Sequence, residues 1–152
     1  MKFPLFLILL LMMTITAVGQ TKNPNYQEAL AQKLGGDDYG MKMYVFAILK
    51  TGNNKSTDKQ FIDSCFAGHM VNIQKLAAEK KLVVAGPFGK NDSAFRGLFI
   101  FNVSKIEDAK ALIATDPAIQ ADLLAADLYP WYGSAALPEY LEAHEQIWKS
   151  QP

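Results

Sequence analysis

His69 is the residue that most needs an explanation. In the stretch FIDSCFAGHMVNIQKL, residues 61–76, a turn of about 100° per residue brings Phe61, Ile62, Cys65, Phe66, His69, Ile73 and Leu76 onto one apolar face. His69 falls near the middle of that face, where an imidazole without a hydrogen-bond partner costs stability. Two chemistries satisfy such a position. The plain one is a core histidine bonded to a carbonyl. The other is acid–base work: a neutral imidazole facing a cleft, steered by a carboxylate, takes a proton from a small carbon acid or a phenol.

Few other residues carry chemistry. Asp116 stands before Pro117, which on local grounds makes it the cap of a helix. Gly86-Pro87 either lets a ligand approach the backbone or bends a strand, and the bend is the simpler reading. Arg96 could orient an anionic substrate or simply be solvated. Tyr44 and Trp131 could line an aromatic pocket or serve as packing. His144 lies on a polar tail and reads as surface. The two histidines are far apart and neither has a second ligand at helical or turn spacing, so no metal site is visible. Phosphate loop, dinucleotide fingerprint and nucleophile elbow are all missing from the sequence, and no cofactor is expected.

Composition narrows the class. The 152 residues carry 15 basic and 15 acidic side chains with no basic run, which argues against nucleic-acid and anionic-membrane surfaces. Lys2, the apolar residues 5–13 and Ala17-Val18-Gly19 read as a cleavable signal, with export to the periplasm or the exterior and no stable membrane span after the cut. Three parts follow: signal 1–19, a tether or short helix 20–40, and a domain 41–152 with a helical tail. Cys65, the single cysteine, cannot form an intrachain disulfide, and its place on the helix face predicts burial.

The positioning elements are legible in outline. Asn25 is a candidate cap for a short helix ending at Gly35. Residues 44–49 and 98–101 are continuous apolar runs, expected as central strands covered on both faces. Thr57 with Gln60, and Ser104 with Glu107, form capping boxes that open two helices, the first running to about Lys81. Residues 82–85 form a strand broken by Gly86-Pro87, which predicts an edge. Residues 118–124 read as a short helix, 128–133 as a short strand and 138–150 as a final helix. The order βαββαβ fits a ferredoxin-like α+β sandwich, a four-stranded antiparallel sheet with helices on one face. The other face, apolar in its central strands, calls for a partner, and a homodimer closing face to face is expected.

Five blocks then resemble one family in order and spacing: GHMVNI at 68–73, KLVVAGPF at 81–88, RGLFIF at 96–101, DPAI at 116–119 and PWYG at 130–133. They are similar to the YciI-like, or YCII-related, family over roughly residues 43–133. The resemblance implies a dimeric α/β barrel and a cleft holding a His and an Asp as a catalytic pair, which map onto His69 and Asp116. It implies a cofactor-independent enzyme acting on a small organic molecule, with no settled reaction. A non-catalytic dimeric module that binds a small ligand is the alternative. The reading places His69 in a hollow shared by two protomers. The apparent signal, the segment before the first strand and the tail after Pro138 depart from the family pattern.

Overall fold

The computed structural model describes residues 23–150; the signal segment and its expected cut lie outside them. A short helix, α1 (Glu28–Leu34), leads in. It starts from Gln27 rather than Asn25, and Gly35 closes it in the left-handed conformation at φ 72°. The sheet and its helices then follow as β1 (Met41–Thr51), α2 (Lys59–Ala78), β2 (Leu82–Pro87), β3 (Phe95–Phe101), α3 (Ile106–Ile113), α4 (Pro117–Gln120) and β4 (Leu124–Ser134). The strands lie in the order β2-β3-β1-β4, with all pairs antiparallel. This is the ferredoxin-like α+β architecture, with the two apolar runs central and the Gly86-Pro87 strand at an edge, as the sequence predicts.

Antiparallel partners directly opposite each other share a face, so the register sorts the side chains. Val45, Ala47 and Leu49 of β1 stand opposite Phe101, Phe99 and Gly97 of β3. Together with Leu82 and Leu124 they meet Leu76, Ala109, Ile113 and Ala118 of the helices in the main core. Tyr44, Phe46 and Ile48 point the other way, opposite Trp131, Tyr129 and Asp127 of β4. Burying the first set removes most of its apolar surface from water, the main favourable contribution to this fold.

The outer face is less bare than expected. A 3-10 turn (Leu137–Glu139) and a single-turn helix, α5 (Tyr140–His144), replace the longer helix predicted over 138–150. Leu137 packs on a second cluster of Tyr44, Val83 and Ile100, and the Tyr140 hydroxyl donates to the Val83 carbonyl. The tail therefore covers one end of the sheet. Phe46, Ile48 and Leu98 stay half-buried, and Tyr129 is 48% exposed.

Several element ends differ from the sequence expectation. Asp58, not Thr57, caps α2 by accepting from the Phe61 N–H, and the helix stops at Ala78. The Ser104–Glu107 box does not form, since α3 begins after Lys105 without a side-chain cap. β4 starts at Leu124 although 124–127 is rich in helix formers; its ladder to residues 48–51 of β1 overrides that propensity. Cys65 is half-buried, not sealed. At the other end, the Tyr132 hydroxyl donates to Asp37 and anchors the lead-in segment to β4. That bond holds the Asp37 carboxyl below its ordinary range and pushes the Tyr132 phenol up to about 12. Among the described residues no helix is long and apolar enough to cross a membrane.

Candidate functional site

α2 lays His69 over the sheet, and the turn between α3 and α4 brings Asp116 to it. Asp116 caps α4 as its sequence predicts: Oδ1 accepts from the Ala118 N–H at 2.9 Å, with Pro117 at the first helical position. Its other oxygen, Oδ2, lies 2.5 Å from His69 Nδ1. Capping and pairing thus use different oxygens of one carboxylate. Asp116 is fully buried and His69 is 9% exposed. The imidazole lies over Phe99 of β3, with ring centroids 5.9 Å apart, and meets Phe66 edge-on. Those contacts leave the ring little freedom to turn.

The geometry sets the tautomer. A carboxylate accepts but does not donate, so Nδ1 carries the proton and donates it to Asp116. Nε2 then holds the lone pair. Among the described residues Nε2 has no hydrogen-bond partner, yet no buried side-chain nitrogen or oxygen lacks one. Nε2 therefore keeps some exposure, and it is the ring nitrogen left unoccupied. A base oriented through one nitrogen and free at the other is the arrangement that proton abstraction requires.

Two further polar groups brace the pair. Asn72, one turn beyond His69 and buried, meets the Thr115 hydroxyl at 3.0 Å, and that hydroxyl lies 2.7 Å from the Leu112 carbonyl. The hydroxyl faces two acceptors, Asn72 Oδ1 and the Leu112 carbonyl, and its one proton serves them in turn. Sequence reasoning missed Asn72 and Gly68, and both left a signal. Asn72 is a polar residue three positions from His69 on an apolar face. Gly68 interrupts a helix at a cost of about 1 kcal/mol relative to alanine, which asks for a packing reason.

The remaining candidates do not join the pair. Pro87 and Arg96 share a depression of about 430 Å³ at the far end of the β2–β3 hairpin, together with Phe88 and Lys90. Gly86 is nearby in β2, with open space where a Cβ would stand. Tyr44 is fully buried, donates from its hydroxyl to the Ser134 carbonyl at 2.8 Å, and packs against Trp131 on the outer face. A second depression, about 510 Å³, runs between α3, α4 and β4 and is lined by Ile113 and Ile119, on either side of the turn that bears Asp116. Neither depression is lined by His69 or Asp116. His69 also faces the helix side of the sheet, since it lies on Phe99 of the main core. A second copy closing on the open sheet face would meet the side of the sheet opposite His69. Among the described residues no three His, Cys, Asp or Glu side chains converge to hold a metal ion.

Asp116→Asn separates the two jobs of this carboxylate. The amide oxygen can still cap α4, while its NH2 turns toward His69 Nδ1 and forces the ring proton to Nε2. Urea unfolding should show a modest loss of about 1–2 kcal/mol, the difference between a charge-assisted and a neutral bond. The ring 15N spectrum should show the tautomer reversed; a variant that keeps its proton on Nδ1 would count against the assignment.

No curated protein sequence matches the chain. A solved structure of 5-chloro-2-hydroxyhydroquinone dehydrochlorinase from Burkholderia phenoliruptrix AC1100, in complex with 2,5-dihydroxybenzoquinone, is similar at 23% identity and a TM-score of 0.41. That likeness covers 57% of this chain and 92% of the dehydrochlorinase. Residues 43–131, more than half of the sequence and the span from early in β1 through most of β4, match the model of the YCII-related domain, and the chain belongs to that family.

Proposed function

We propose that this YCII-related protein is a cofactor-independent acid–base enzyme acting on a small organic molecule. His69 Nε2 is the base and Asp116 the residue that orients it. The observation that carries the reading is the 2.5 Å contact between Nδ1 and Oδ2, made by a buried carboxylate to a ring whose other nitrogen is left free. When Nε2 takes a proton, the Asp116 carboxylate balances the charge that the ring acquires. Phe66, half-buried at the edge of the ring, favours a substrate with an apolar or aromatic body and an acidic C–H or O–H. The test is hydrogen exchange in D2O over a panel of small ketones, keto acids and phenols, including hydroxyacetone, levulinic acid and resorcinol. At least one should exchange faster with the protein, and His69→Gln should remove about 10²–10⁴-fold of that rate, the usual share of a positioned base. No acceleration across the panel, or an equal rate in the variant, would sink the reading.

One observation favours a second reading, a module that binds a ligand without transforming it: both surface depressions lie away from the imidazole. Under that reading the panel compounds bind, nothing exchanges, and His69→Gln leaves the affinity unchanged.

The homodimer also belongs to this proposal. Phe46, Ile48, Leu98, Tyr129 and Trp131 form an apolar surface on the outer sheet face that the tail only partly covers. A second copy closing on it would bury that surface, as large apolar patches usually require. Light scattering behind a sizing column should give about twice the 16.8 kDa chain mass at micromolar concentration, and Phe46→Asp should shift it to the single-chain value. A wild-type monomer would contradict this.

A further inference from the structure

The contact between His69 and Asp116 depends on a neighbour of each. Gly68 precedes the histidine and Pro117 follows the aspartate, and these two meet where α2 crosses the start of α4. A Cβ built on Gly68 would stand 2.8 Å from Pro117 Cγ and 3.2 Å from its Cβ. Proline's ring cannot swing aside as a flexible side chain could, because it is closed on its own backbone. Carbon atoms rest at about 3.5–4.0 Å, so any side chain at position 68 must push Pro117 back by about 0.8 Å. Asp116 is bonded directly to Pro117. Added to the 2.5 Å between Nδ1 and Oδ2, a retreat of that size carries the pair to the limit of hydrogen bonding or past it. The turn cannot escape by sliding along α2, because Thr115 is held to Asn72 on the far side.

We infer that Gly68 is a positioning residue for the acid–base pair: its missing side chain provides the clearance that lets Pro117 seat against α2 and Asp116 reach His69. The inference rests on the acid–base reading of His69 for its functional meaning but not for its geometry. A glycine inside a helix is ordinarily improved by alanine. Here the improvement in helix propensity comes with loss of the pair.

The experiment follows the ring nitrogens of His69 by 15N NMR in the full chain, with backbone amide shifts reporting the fold. In the wild type a hydrogen-bonded Nδ1 proton is expected. Gly68→Ala should lose that proton signal to solvent exchange and move both ring nitrogens toward the values of a free imidazole. Val71→Ala, an exposed change on the same helix, should leave them in place. Gly68→Ala/Pro117→Ala withdraws the obstructing Cγ and should restore the signal, including in the case where Gly68→Ala alone does not fold. A Gly68→Ala spectrum with the wild-type ring shifts, or a double variant that fails to bring them back, overturns the inference. Because the readout is a nuclear shift and not a rate, absence of exchange activity would sink the catalytic reading and leave this one standing.

Discussion

The architecture around His69 depends on one buried hydrogen bond. A carboxylate removed from water is costly unless its oxygens are occupied, and Asp116 is almost entirely buried. Its two oxygens find the Ala118 amide and the His69 ring, and each partner belongs to a different helix. The same group therefore starts α4, ties it to α2 and fixes which nitrogen of the imidazole bears a proton. Remove either partner and a charge remains in the core with half its bonding lost. Around that bond the contacts are arranged to hold distance: Phe99 beneath the ring, Phe66 at its edge, Asn72 on Thr115 and Gly68 against Pro117.

The sheet separates two roles. On its helix side it carries Phe99, on which the imidazole rests, and the main core. On its outer side it presents Phe46, Ile48 and Leu98, with the tail strapped over one end through Leu137 and Tyr140. Period-two alternation along β1 makes this possible, since neighbouring residues serve opposite faces. Both members of the pair at His69 belong to one chain and lie on the helix side of the sheet.

Most of the fold was legible in the sequence because its signals are local. Continuous apolar runs identified the central strands, Gly86-Pro87 the edge strand, and Asp116-Pro117 the helix cap. The errors occur where long-range contacts override local preference. The short helix expected over 118–124 stops at Gln120, and the strand expected from 128 begins at Leu124, because the ladder to β1 outweighs the helix preference of alanine and leucine there. Thr57 and Ser104 looked like caps, but Asp58 takes the first role and Lys105 precedes α3 with no cap at all. At the site, His69 announced itself as a polar residue on an apolar face. The partnership with Asp116 came only from family likeness, because a separation of 47 positions leaves no spacing to read. The clearance at Gly68 was half hidden for a similar reason: a glycine inside a helix asks for a close neighbour, but nothing local names the atom its side chain would have struck. Arg96, Pro87, Tyr44 and Trp131 have types suited to binding, yet topology places them at two other locations.

The role of His69 turns on the position of a single proton. Neutron diffraction from a deuterated crystal held near pH 9, well above the ordinary imidazole range, would locate it. A deuteron is expected on His69 Nδ1, directed at Asp116 Oδ2, and none on Nε2. A deuteron on Nε2 with Nδ1 bare, or a ring turned away from the carboxylate, would contradict it.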